Sequence, residues 1–182
     1  MMRAVRICAV LVLALCFGSG VVLSAEIERA SADEEKLYKS VFPDADFFSV
    51  KGGAKPHARA YKQEQGKSEA TMVGFVFRTD EVEPDEYAYA SQVAQLVGLT
   101  TAGKITAIKV LSHREPFGYF SVDPPEYAAQ YKGKSILNAF EVDEDIDAVT
   151  RATITIDGAA RVIKKSARRI MQIYRAEQKA TK

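Results

Sequence analysis

Apolar residues recur at helical spacing near the C-terminal end of the chain. Between residues 157 and 176 they follow a 3.6-residue period, which predicts a long amphipathic helix with Asp157 as its N-cap. The apolar stripe is formed by Ile156, Ala160, Ile163, Ala167, Ile170, Met171 and Tyr174. The basic face, formed by Arg161, Lys164, Lys165, Arg168, Arg169 and Arg175, is either solvated or a docking surface for an acidic partner or anionic headgroups.

Three stretches rich in β-branched and aromatic residues, 71–79, 93–99 and 104–111, predict β-strands. A short turn containing Gly103 links the last two, so we expect them to form an antiparallel hairpin.

The remaining pattern predicts a short helix over residues 31–42, capped by Ser31 or Asp33 and ended by Pro43. Residues 51–68 are polar and predict a loop or an irregular strand, and residues 127–136 have room for one helical turn. Together these elements predict a small single α+β domain. Its antiparallel sheet, with a hairpin, would be packed by a short N-terminal helix and a long C-terminal helix.

The first 25 residues have the order of a secretory signal. Arg3 and Arg6 precede an apolar run, and small residues and then charge follow it, with a cleavage point after Ala25. The alternative is an uncleaved membrane anchor, although the run is short for a spanning helix. We therefore expect a signal peptide over residues 1–25, a domain over 26–182 with its core at about 37–173, and a periplasmic location.

Charge and cysteine content exclude several classes of function. Cys8 and Cys16 both lie in the predicted signal, so the cleaved chain has no disulfide, thiolate or cysteine-ligated cluster. His57 and His113 are too few for a histidine metal site, and we expect no metal. Cleavage lowers Lys and Arg from 25 to 23 against 24 Asp and Glu, a net charge near −1, so nucleic acid is not an expected partner.

The sequence DAVTRATIT, residues 147–155, gathers three threonines and an arginine just before the predicted helix. Free amides and the positive dipole end make a helix N-terminus a favourable phosphate site, and Arg151 can add charge-assisted hydrogen bonds. The same pattern is also typical of a capped turn with surface threonines. The residue pattern alone favours the capped turn, because Ser, Thr and Asp are common at helix starts.

The segment from Asp147 to Thr153 resembles the D-x-x-[S/T]-G-A-T signature of the FMN-binding domain family. This family includes the flavin subunits of Rnf and sodium-pumping quinone reductase complexes and the start of regulators of the NosR type. Four further stretches resemble the NosR-type domain, in the same order along the chain. They are Val41 to Asp46, Gly74 to Thr79, Val97 to Thr106, and the loop from His113 to Pro116.

The resemblance implies covalent FMN, joined through its phosphate to the Thr153 hydroxyl by a periplasmic flavin transferase. It implies that the transferase recognises Asp147 and that Glu115 and Pro116 lie against the flavin ring or its ribityl chain. The remaining implied contacts involve Thr150, Arg151, Ala152 and Thr155 with the phosphate or the ribityl hydroxyls. His113 is either a structural hydrogen-bonding residue or a proton donor to the flavin.

Three residues depart from the family pattern. Arg151 replaces a glycine that would allow positive φ, Thr100 stands where an acidic residue is common, and Ser91 stands where a glycine is common. The membrane helices and iron–sulfur part that follow the NosR-type flavin domain do not appear in this sequence.

Three classes of function follow from the resemblance. The first is an electron-transfer flavoprotein that passes electrons between a membrane-bound or periplasmic donor and acceptor. The second is an FMN-binding sensor or assembly module of a respiratory complex, without turnover of its own. The third is a flavoenzyme with a small substrate, which is disfavoured because the chain adds no substrate domain. We expect a carrier.

Overall fold

An antiparallel sheet between two helices forms the body of the protein. The computed structural model describes residues 21–23 and 27–180. The strands are β1 (Val21–Leu23), β2 (Phe47–Phe48), β3 (His57–Gln63), β4 (Glu69–Arg78), β5 (Ala94–Thr100) and β6 (Ile105–Ser112). The helices are α1 (Ala32–Lys39), α2 (Thr79–Val82), α3 (Gly118–Ser121), α4 (Pro125–Ala129) and α5 (Thr153–Ala180). The sheet has the order β2-β3-β4-β5-β6, and β1 pairs along β4, so the predicted α+β fold is confirmed.

The two faces of the sheet carry different cores. Phe75, Phe77 and Val97 pack with the apolar stripe of α5, whereas Val76 and Leu96 pack with the residues around α1. This alternation follows from the two-residue period of a strand. The interior strand β5 is buried along nearly its whole length because α5 packs on one of its faces and the chain around and after α1 packs on the other.

The predicted hairpin is confirmed, with Val97 opposite Ile108 in the β5–β6 ladder. Gly103 in the connecting turn has φ +76, a left-handed conformation that glycine adopts without a steric penalty. A Cβ atom at Gly98 would lie 2.4 Å from the Val41 carbonyl oxygen, so the chain after α1 lies directly on β5.

Near the N-terminus, the Ser31 hydroxyl accepts a hydrogen bond from the Glu34 amide, which confirms one of the two predicted caps of α1. The helix ends at Lys39 rather than Phe42, and Val41 and Phe42 are buried just beyond it. The polar stretch 51–68 contains β3, whose pairing with β4 is irregular between Ala60 and Tyr61.

The long helix begins four residues earlier than predicted, and Asp157 as its N-cap was wrong. The Ile156 amide already donates to the Ala152 carbonyl at 3.0 Å, so Asp157 lies inside the helix. Its carboxylate instead accepts from Arg161 Nη1 at 2.9 Å, one turn further along. The residues of DAVTRATIT therefore divide between a turn and the first helical turn.

The basic face of α5 is largely paired within the protein. Lys165 and Arg169 contact the Glu83 carboxylate, Arg161 and Lys165 contact Glu86, and Arg168 donates to the Ile136 carbonyl. These pairs join α5 to the segment after α2 and to the loop before the motif. The contacts favour a structural role for this face over docking to an acidic partner.

The predicted signal peptide lies mostly outside the described residues. Within the part of the chain that the structure describes, no helix combines the length and apolar character needed to cross a bilayer.

Candidate functional site

The turn before α5 has an unusual backbone at Arg151. This residue has φ +70, in the left-handed region, where a side chain with a Cβ atom costs about 1 kcal/mol. The glycine of the family signature would be free of that cost at this position. Arg151 therefore adopts a backbone conformation that suits glycine, and it adds an exposed cation.

Thr153 is the first residue of α5, and its side chain is exposed. The one hydrogen bond described for its hydroxyl is a long one, 3.5 Å, to the Val149 carbonyl. Amides in the first turn of a helix have no intrahelical acceptor, and the positive end of the helix dipole lies there. An accessible hydroxyl at the start of this 28-residue helix is well placed to carry a phosphate.

An open cleft of about 450 Å³ lies beside Thr153, between α5 and the loop that precedes the motif. Its apolar side includes Phe140 and Val142, and its charged side chains are Glu141, Asp143, Asp157, Arg161 and Lys164. Phe140 and Asp143 have φ values of 54 and 67. With Arg151, they are the three non-glycine residues with positive φ in the described chain. Such strained residues tend to cluster at functional sites.

The charges in this cleft do not form a dedicated anion site. Arg161 pairs with Asp157 at 2.9 Å, and Lys164 lies 3.5 Å from the Glu141 carboxylate across the cleft. Three carboxylates face two cations, so the lining is slightly negative. The lining of this cleft therefore offers a phosphate no net electrostatic attraction.

Glu115 lies on the other side of the α5 N-terminus, and only 6% of it is exposed. Its Oε1 accepts hydrogen bonds from the amides of Ala90 and Ser91 at 2.9 and 2.7 Å and from the Ser91 hydroxyl at 3.2 Å. Its Oε2 accepts from the Thr155 hydroxyl at 2.8 Å. Burial by itself would raise the pKa of Glu115, but the hydrogen bonds from Thr155, Ala90 and Ser91 outweigh it and lower the pKa.

His113 is bonded within its own loop. Its Nδ1 accepts from the Glu115 amide at 3.2 Å, and its Nε2 lies 2.8 Å from the Asp123 carboxylate. A Cβ atom at Gly118 would lie 1.9 Å from the imidazole Cε1, so the ring packs tightly against that glycine. This bonding favours the structural alternative for His113.

The other residues of the motif divide into two exposed and two buried side chains. Asp147 and Thr150 are exposed, and the Asp147 amide donates to the Gln130 side chain at 2.7 Å. Ala152 and Thr155 are buried. A flavin contact at each of them stays a prediction.

A group of exposed aromatic and aliphatic side chains lies near the start of α5, and no pattern in the sequence predicted it. Pro116 is exposed beside them. Of the seven large apolar side chains that the described residues expose, five belong to this group: Tyr87, Tyr89, Phe117, Tyr119 and Ile154. Arg161 donates to the Tyr87 carbonyl, Glu115 holds the chain after Tyr89, and α3 contacts α5. The sequence feature that could have indicated this group is the pair Tyr87 and Tyr89 in the otherwise polar loop before β5.

An exposed hydroxyl at a helix N-terminus, near both an aromatic surface and an open cleft, is an arrangement suited to a phosphorylated aromatic cofactor. The model of the FMN-binding domain family matches residues 89–168. The chain therefore carries an FMN-binding domain of that family and is a flavin-binding protein. The matched segment includes the Glu115 loop and the whole motif up to Thr153. A comparison with curated proteins gave no match.

Proposed function

We propose that this protein is a periplasmic electron-transfer flavoprotein whose FMN is attached through a phosphoester to Thr153. The observation that carries the proposal is the exposed Thr153 hydroxyl at the first position of α5, inside a segment that matches the FMN-binding domain family. The FMN-binding domain is present, and the covalent bond, the location and the redox partners are the proposed parts.

The residues around Thr153 fit a phosphoester of FMN. The first-turn amides of α5 and the Arg151 guanidinium would face the phosphate, and the Thr150 hydroxyl lies on the same exposed turn. Pro116 and the exposed aromatic group would face the isoalloxazine ring, which is large and mainly apolar. When bound, FMN accepts one or two electrons and so links one-electron and two-electron partners.

The protein would depend on a flavin transferase for loading. In that step, the Thr153 oxygen forms a bond to the FMN phosphorus of a flavin dinucleotide, the phosphoanhydride bond breaks so that a nucleoside monophosphate leaves, and the hydroxyl proton is lost to a base of the transferase. Asp147, exposed at the start of the motif, is the proposed recognition residue. The leader-like N-terminus supports a periplasmic setting, with membrane-bound or periplasmic electron donors and acceptors.

The attachment is tested by coexpressing the full chain with the transferase and measuring intact mass and in-gel flavin fluorescence. We expect one FMN on the wild type and on Thr153→Ser, which keeps a hydroxyl, and no covalent flavin on Thr153→Val. Thr71→Val changes an exposed threonine on β4, away from the motif, and should leave loading unchanged. Covalent flavin that persists in Thr153→Val would refute the assignment.

The carrier role is tested separately from attachment. A reductive titration of the loaded protein, followed by reoxidation, should be reversible, and envelope membranes should exchange electrons with the loaded protein. A flavin that neither membranes nor periplasmic extract can reduce or oxidise would favour the sensor or assembly module.

A further inference from the structure

The Glu115 carboxylate joins three segments that are distant in sequence. It accepts hydrogen bonds from the loop at Ala90 and Ser91, and it also accepts one from Thr155 in the first turn of α5. The loop that carries Glu115 is the third segment. With four donors on two oxygens and little exposure, this carboxylate has most of its hydrogen-bonding capacity filled within the protein.

We propose that Glu115 is a positioning residue that sets the rotation of the first turn of α5, so that Thr153 presents its hydroxyl to the flavin transferase. The inference rests on the proposed attachment at Thr153. It assigns Glu115 a role other than contact with the flavin ring.

The geometry of a helix explains how a bond to Thr155 can control Thr153. Successive residues of an α-helix turn by about 100°, so residues two apart face nearly opposite directions. Thr155 is 2% exposed and bonded inward, and Thr153 accordingly faces outward. Ala152 and Ile156 are also buried, but apolar contacts are non-directional, whereas the bond to Glu115 fixes one orientation.

The same carboxylate holds the loop that carries the exposed tyrosines. Through Ala90 and Ser91 it fixes the chain that follows Tyr89, and a Cβ atom at Gly158 would lie 2.5 Å from the Ala88 Cα. The attachment turn and the tyrosine loop are therefore held in one fixed relation. This relation should restrict the motion of an attached flavin.

The test compares Glu115→Gln, Thr155→Val and Thr155→Ser in the full chain with purified transferase and its flavin donor, at rising concentrations of this protein. We expect Glu115→Gln and Thr155→Val to lower the maximal flavinylation rate about tenfold, the effect of one hydrogen bond to a charged group, with little change in KM. Thr155→Ser keeps the donor and should recover most of the rate. Flavin fluorescence anisotropy should fall in the loaded Glu115→Gln and Thr155→Val proteins.

A control separates positioning from a general loss of stability. Ile163→Val removes one methyl group from the buried stripe of the same helix without touching a polar contact. Even if its melting temperature falls as far as that of Thr155→Val, Ile163→Val should be flavinylated at the wild-type rate.

Two results would overturn the inference while leaving the proposed function intact. One is a wild-type maximal rate in Thr155→Val. The other is an equal loss of rate in Thr155→Val and Ile163→Val when their melting temperatures fall by the same amount. A wild-type chain that acquires no flavin under any condition would instead remove the proposed function, and this inference with it. If Glu115→Gln fails to fold, the Thr155 pair still decides the outcome.

Discussion

Thr153 and Thr155 lie two residues apart in the first turn of α5 and face opposite directions. Thr153 is exposed beside an open cleft, and Thr155 is buried with its hydroxyl 2.8 Å from Glu115. Two threonines that look equivalent in the sequence therefore differ in accessibility, and of the two only Thr153 is exposed to solvent.

Arg151 should be destabilising because of its backbone conformation. Its φ of +70 is one that glycine adopts freely, so Arg151→Gly should raise the free energy of unfolding by about 1 kcal/mol. Arg151→Ala removes the charge but keeps a Cβ atom, and it should give no such gain. Thermal and urea unfolding of the three proteins measure the difference, and equal gains in both variants would contradict the strain explanation.

The charge at residue 151 should matter for loading. Arg151→Gly restores the common motif and should be flavinylated nearly normally. Arg151→Glu places like charge beside the phosphate and should be flavinylated slowly, because the contact is worth about 1 to 2 kcal/mol. Rates measured at low salt decide this, and equal rates for wild type, glycine and glutamate would mean that the side chain plays no part.

Asp147 should affect loading more than stability. Its side chain is exposed, so Asp147→Asn should leave the melting temperature within a few degrees while lowering the flavinylated fraction. Glu144→Gln changes a nearby exposed carboxylate and serves as the matched control. Normal loading of Asp147→Asn together with a large drop in melting temperature would instead indicate a structural role.

Glu115 should contribute to acid unfolding. Its pKa in the folded state is lowered from the ordinary value of 4.5, so its ionised form stabilises the fold above that pH. This contribution should disappear as the pH falls from about 4.5 through the lowered pKa of the folded state. Urea unfolding across this range should show a smaller loss of stability with acid in Glu115→Gln than in wild type. Identical slopes would argue against a lowered pKa at this carboxylate.

Gly158 should resist the usual stabilising substitution in a helix. Alanine normally improves a helix interior by about 1 kcal/mol over glycine, but here its Cβ would lie 2.5 Å from the Ala88 Cα. We expect Gly158→Ala to lower the melting temperature and to displace the tyrosine loop, measured by calorimetry and amide exchange of residues 87–91. A rise in melting temperature would mean that the tyrosine loop moves away from the added methyl group at little cost in stability.

Periodicity predicted the main helix and the β5–β6 hairpin, but not all helix ends and not the contacts of the site. The stripe from Ile156 to Met171 and the β5–β6 hairpin have local signals, so both could be read directly. The true start of α5 could not be predicted, because aspartate is a common N-cap residue. The carboxylate of Asp157 could either cap the helix or pair with Arg161, and local sequence does not decide between the two. The Glu115 contacts join residues 24 to 40 positions apart, which no local pattern encodes.

The mixed charge of the cleft beside Thr153 has a consequence for how the protein would be supplied. Carboxylates outnumber cations there, so free flavin nucleotides would gain little from entering it. Under the proposed function, occupancy would not follow the concentration of dissolved flavin at all. Each chain would be loaded once and permanently, and the fraction of chains that carry flavin would equal the fraction that the transferase had modified.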